Sequence, residues 1–121
     1  MSTVATYKSN HKVIVLLTSD NLNNSFFKDA THISYLHVNS TSKVFPALFT
    51  HQPGTIIIDC DYLQNEFHDL VRRIRTNSFY DKLKICCLKQ SQNRKADEQL
   101  KIIGVDFLLY RTSKAFNIEV K

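Results

Sequence analysis

Glycine is almost missing from this sequence: Gly54 and Gly104 are the two glycines in 121 residues. Folds that cradle a dinucleotide or a nucleoside triphosphate place glycines where backbone must approach phosphate. Neither GxGxxG nor a Walker A motif occurs, so nucleotide binding is not expected. Long apolar runs are missing as well, and no window approaches the roughly 18 uncharged residues that a membrane span needs. Residues 1–10 are polar and lack the apolar stretch of a secretion signal; they read as a flexible lead-in. Cysteine is scarce and odd in number, and Cys86 and Cys87 are adjacent. Neighbours on a strand point to opposite faces, so these two do not share one site or one bridge. No Cys/His spacing matches a zinc site. Such cysteines read as small buried residues of a reduced, cytoplasmic protein.

What is present is one domain's length of chain, 43% hydrophobic, with a formal charge of +5. A positive balance raises the question of nucleic acid. The cations are spread along the chain, however, and the dense cluster "RRIR" (72–75) reads as a solvated helix face. Nucleic acid is therefore not the expected partner. A basic nucleic-acid-binding α/β module stays open as a second alternative, and its binding would fall steeply with salt.

Apolar runs alternate with helical stripes. "KVIVLL" (12–17) suits a strand buried on both faces, and "TSDN" after it offers Ser19 or Asp20 as a helix cap. A short helix is expected within "NLNNSFFKDA" (21–30), then a strand at "ISYLHV" (33–38). "KVFPALF" (43–49) has helical spacing, with Pro46 tolerable in a first turn. "QPG" breaks the chain before "TIIID" (55–59), which reads as the third strand. "NEFHDLVRRIRTN" (65–77) carries Phe67, Leu70, Val71 and Ile74 on one stripe and is the clearest helix. A strand at 82–88 follows. A helix at 92–104 comes next, with Ala96, Leu100 and Ile103 inward and Gly104 as its stop. The fifth strand is expected at 105–111, and a last helix, cut short, is expected from Ser113.

Five βα units with continuous apolar strands predict a doubly wound, five-stranded parallel sheet covered by helices on both faces. Residues 11–121 form one such domain. Function in such sheets gathers at the carboxyl ends of the strands. That edge would hold Thr18, Ser19, Asp20, Asp59, Lys89 and Arg111.

"PGTIIIDCDYLQ" (53–64) is similar to the third-strand segment of response-regulator receiver domains, the phospho-acceptor modules of two-component signalling. There a proline and a short apolar run lead to the aspartate that accepts phosphate. "GVDFLLYR" (104–111) resembles the family's fifth-strand segment, and the likeness spans roughly residues 11–116. It implies the flavodoxin-like receiver fold and puts Asp59 at the phospho-acceptor position.

The other family positions depart from the pattern. Leu17–Thr18 or Thr18–Ser19 stands where receivers carry the acidic pair that holds Mg²⁺, and Asp20 lies just beyond. Lys89 replaces the hydroxyl residue ending the fourth strand, Arg111 the lysine ending the fifth, and Thr112 the proline after it. Leu108 falls at the switch aromatic. Phosphoryl transfer to a carboxylate relies on positioning and on charge neutralisation by a metal.

The resulting expectation is a bacterial pseudo-receiver, not an enzyme and without a cofactor. Lys89 and Arg111 would neutralise Asp59, leaving it an ion-paired resident. The alternative is a receiver in which Asp59 takes phosphate from a histidine kinase, with Asp20 or Asp61 joining Asp59 as candidate Mg²⁺ ligands. Partners implied by the resemblance are a histidine kinase, an effector domain or a second copy. They would meet Phe107, Leu108, Tyr110 and Arg111, on the face of the fourth helix, fifth strand and fifth helix. Cys60, between two acids, is expected to have its thiolate disfavoured.

Overall fold

A computed structural model describes residues 12–19 and 33–111. Its five strands are β1 (Lys12–Leu17), β2 (Ile33–Val38), β3 (Thr55–Asp59), β4 (Lys84–Lys89) and β5 (Phe107–Tyr110). They form one parallel sheet in the order β2-β1-β3-β4-β5. The described helices are α1 (Val44–His51), α2 (Cys60–Leu63), α3 (Asn65–Arg75) and α4 (Arg94–Ile103). The helices expected within 21–30 and from Ser113 lie outside the described residues, as does Asp20.

The order places β1 and β3 at the centre, with the switch of chain direction between them, as in the flavodoxin-like arrangement. Alternation along the strands sends side chains to two faces. Val15, Leu17, Ile56, Ile58, Ile85 and Cys87 face the cluster that α1, α3 and α4 cover with Val44, Leu48, Phe67, Leu70, Ile74 and Leu100. Ile14, Leu16, Ile57, Cys86, Leu88 and Leu109 form a second cluster on the opposite face. Ile56, Ile57 and Ile58 are each 0% exposed, which explains why β3 reads as an unbroken apolar run.

Local chemistry sets the helix ends. Pro46 is the third residue of α1, where no intrahelical N–H is missed. Asn93 caps α4, its side chain accepting from the Ala96 amide at 3.0 Å. Gly104 ends α4 at φ 119, a left-handed backbone, and a Cβ there would fall 2.7 Å from Arg75 Cγ. The clearest predicted helix stops at Arg75, because the Asn77 side chain accepts from the Phe79 amide and starts a 3₁₀ turn over Ser78–Tyr80. On α4 the inward stripe differs from the expected one: Ala96 is half-buried, and Asp97 beside it is 6% exposed.

Candidate functional site

The apolar strand β3 delivers Asp59 to the carboxyl edge, where it is 3% exposed. A carboxylate so buried must have every oxygen answered. The Thr18 hydroxyl, just past β1, donates to Asp59 Oδ2 at 2.5 Å. Arg111 Nη2, just past β5, donates to the same oxygen at 2.6 Å. The amide of Tyr62 donates to Oδ1 at 3.1 Å, so Asp59 is also the N-cap of α2. One carboxylate thus ties together the ends of β1, β3 and β5 and the start of α2.

Arg111 forks. Its other nitrogen, Nη1, lies 3.2 Å from Asp61 Oδ2, and the Asp61 side chain is half exposed. Asp61 belongs to the short helix α2, in its first turn. A planar guanidinium can bridge two carboxylates in this way, whereas a lysine ammonium cannot present the same fork. Tyr62 and Thr18 are held in turn. The Tyr62 hydroxyl donates to the Asn39 carbonyl at 2.9 Å, and the Thr18 amide to the Val38 carbonyl at 3.1 Å. His37 Nε2 lies 3.1 Å from the Thr18 carbonyl. Ser19 is half-buried and brings no hydrogen bond to Asp59.

Lys89 requires a correction. It does not flank Asp59; its Nζ donates to Asp97 Oδ1 at 2.7 Å. Strand pairing is the reason. Leu88, not Lys89, lies opposite Asp59 on β4, while Lys89 lies opposite Tyr110 on β5. Lys89 and Tyr110 therefore converge on α4, where the Tyr110 hydroxyl donates to Asp97 Oδ2 at 2.6 Å. The Asn93 amide reaches the same oxygen at 3.3 Å. Burial pushes the Asp97 carboxyl upward, but the hydrogen bonds from Lys89, Tyr110 and Asn93 outweigh it and hold the group below its ordinary value. The Tyr110 hydroxyl is pushed up, by burial and then by the carboxylate it faces.

Asp97 was missed in the sequence, although a signal exists: it stands three residues before the buried Leu100, on the apolar stripe of α4. A charged residue in a buried stripe needs a partner, and Lys89 is eight residues earlier.

The remaining positions are quickly placed. Phe107, Leu108, Tyr110 and Arg111 are all half-buried, on β5 and at its end. On α4, Ile102 is 81% exposed. Cys60, Cys86 and Cys87 are free. Cys86 is pushed up to about 12 by burial and by Asp106. Cys60 departs from expectation: a hydrogen bond with the Cys87 thiol lowers it, against burial and the two acids beside it. The three arginines of "RRIR" are all engaged. Arg72 pairs with Asp69 at 2.7 Å, Arg73 lies 4.9 Å from the centroid of the Phe45 ring, and Arg75 clamps Asp106 at 2.6 Å.

The resemblance to receivers implies Mg²⁺, and the described donor set does not fit it. A Mg²⁺ ion needs near-octahedral oxygen ligands, usually with carboxylates free to turn toward it. Among the described residues no group of three or more His, Cys, Asp or Glu could hold a metal ion. Asp59 and Asp61, which could have supplied two carboxylates, share the Arg111 guanidinium.

Solved structures of response-regulator receiver domains share this fold. The signal receiver domain of a DNA-binding response regulator (merR) from Colwellia psychrerythraea 34H superposes with a TM-score of 0.70 and 11% identity, over 88% of each chain. Response regulator RPA3017, in red light signalling of R. palustris, gives a TM-score of 0.74 and 13% identity over 85% of this chain and 82% of that one. Chemotaxis response regulator CheY4 of Vibrio cholerae gives 0.71 and 14% over 85% and 88%. No family model matches the sequence, and no curated protein matches it. The protein has the receiver fold.

Proposed function

We propose that this chain is a pseudo-receiver, which acts in signal transduction by contacting other proteins and does so without Mg²⁺-dependent phosphorylation. The observation that carries the reading is the closed shell of Asp59: Arg111 and Thr18 occupy Oδ2, and the Tyr62 amide occupies Oδ1. A nucleophilic carboxylate must present an oxygen to the incoming phosphoryl group, with a metal beside it. Here an internal cation supplies the neutralising charge, and the ion pair is itself part of the fold.

Two further observations support it. The Lys89–Asp97–Tyr110 cluster binds β4, α4 and β5 together. By the family likeness Leu108 falls at the switch aromatic, and a leucine there would leave the β5 side without that moving part. Partners of this class are a histidine kinase, an effector domain or a second copy, meeting the protein around Phe107, Leu108, Tyr110 and Arg111, near the exposed Ile102 of α4. The protein would work in the cytoplasm and would not be an enzyme. No helix among the described residues is long and apolar enough to cross a membrane.

The test is a titration of the labelled protein with beryllofluoride and Mg²⁺, followed by amide NMR. The expected result is no Mg²⁺-dependent shift at Asp59, Tyr62 or Arg111. Strong shifts centred on Asp59, absent from Asp59→Asn, would replace this reading with that of a phosphorylatable receiver.

A further inference from the structure

We propose that the amino-terminal edge of the sheet carries a docking groove for an acidic peptide segment of a partner protein, anchored by an aromatic side chain. This edge lies at the opposite ends of the strands from Asp59, and the proposal does not rest on how Asp59 is read.

The shape comes first. A cleft of about 260 Å³ and a shallower, more open one of about 520 Å³ share Tyr80 in their linings. The first runs over Pro53 and Gly54 and is bounded by Leu48 and Phe79. A Cβ added to Gly54 would meet nothing within 4 Å, so the space above the chain there is open. It has room for one aromatic ring. Gln52, also in this wall, holds φ 45 as the cap of α1, and that left-handed turn lets the chain pass beneath the cleft into β3.

Apolar surface is left uncovered at the mouth. Phe49 is 65% exposed and Phe79 57%, with ring centroids 6.0 Å apart. Tyr80 packs edge-on to Phe79 at 5.0 Å and against Phe45 at 5.8 Å. Contiguous exposed aromatic surface of this kind marks an interaction site.

Charge then selects the occupant. The linings of the two clefts contain Arg73 and Lys82 and no carboxylate. Neither cation makes an ion pair among the described residues. Arg73 lies over the face of Phe45, a contact that leaves its in-plane N–H groups for a carboxylate. Asp81, between Tyr80 and Lys82 in the chain, lines neither cleft. A second copy would bring the same two cations against themselves. A nucleic acid strand would find two cations where tracking a backbone needs a row of them.

The groove is preformed. The turn bearing Phe79 and Tyr80 is capped by Asn77, and Leu83 behind it donates its amide to the Tyr80 carbonyl at 3.1 Å. The Leu83 carbonyl in turn accepts from Arg75 Nη1 at 2.9 Å. A rigid wall loses little freedom on binding.

The experiment is fluorescence anisotropy of the full chain with a fluorescein-labelled synthetic peptide in which phenylalanines alternate with glutamates. Saturable binding is expected, weakened at least about tenfold by Phe79→Ser, the loss of one aromatic anchor. Gly54→Leu, which keeps every lining side chain and adds bulk at the cleft floor, should weaken it as much, and Arg73→Ala should flatten its salt dependence. Amide shifts should centre on Phe79 to Leu83. Equal binding of the same peptide with lysines for glutamates would overturn the proposal. So would affinity unchanged by both Gly54→Leu and Phe79→Ser, tighter binding of an oligouridine, or self-association lost in Phe79→Ser.

Discussion

The two edges of this sheet treat charge in opposite ways. At the carboxyl edge each buried charge has been matched: Asp59 by Arg111 and Thr18, Asp97 by Lys89 and Tyr110. At the amino edge Arg75 is also spent internally, on Asp106 and on the carbonyls of Leu83 and Gly104. Arg73, over the Phe45 ring, and Lys82 make no ion pair among the described residues. A carboxylate that already holds a guanidinium at 2.6 Å gains little from a further ligand. A cation beside exposed aromatics still has its strongest interaction to make. The carboxyl edge is thus the closed one in this protein, and the amino edge keeps cations beside exposed aromatics.

The largest effect should come from breaking the carboxyl edge. Arg111→Ala leaves the carboxylate of Asp59 buried without its cation and should cost about 3–5 kcal/mol in urea unfolding. Adding Asp59→Asn to Arg111→Ala should recover much of that, because the uncompensated charge goes with it. If the single change proves nearly neutral, the closed shell is not what holds this edge.

Next in size is Lys89→Met, which should cost about 2 kcal/mol, since Tyr110 and Asn93 still answer Asp97. Asp97 also gives the pH dependence its sign. Its folded pKa lies below the ordinary 3.8, so its contribution is present above pH 3.8 and is lost as pH falls toward the folded value. Unfolding free energy should therefore drop with acid in that window, and Lys89→Met should flatten the slope.

At the amino edge, Gly104→Ala should cost about 1–2 kcal/mol from the left-handed backbone alone. The 2.7 Å approach to Arg75 Cγ would add to it and loosen the clamp on Asp106 and Leu83. Thermal unfolding measures the loss. The smallest effect is expected for Arg72→Ala, whose pair with Asp69 is solvated on both sides, with side chains 69% and 55% exposed. It should change stability by under about 0.5 kcal/mol.

Much of the fold was legible because burial on two faces leaves a strong mark. "KVIVLL" and "ISYLHV" became β1 and β2 with the expected ends. The stripe of Phe67, Leu70, Val71 and Ile74 became the buried face of α3. The short helix α2 and the turn at Ser78–Tyr80 were not anticipated, since each is held by a single side-chain cap too local for periodicity to reveal. At the site, Asp59 beside Arg111 followed from the family likeness. Lys89 did not go where that likeness pointed, because the buried Asp97 on α4 holds its ammonium.

The sequence by itself determined which segments are strands, that their apolar residues are buried on both faces, and that an acid stands at the tip of β3. Those properties follow from periodicity and from the cost of burying polar groups, and both act locally. Tertiary structure decided who answers whom. Thr18 and Arg111 meet at Asp59 across 41 and 52 residues of chain, and only the parallel order β2-β1-β3-β4-β5 brings their strand ends to one edge. Lys89 is a cation like Arg111, but strand register sets it opposite Tyr110, one residue beyond the partner of Asp59. That one-residue difference gives Lys89 to Asp97 and leaves Asp59 to Arg111.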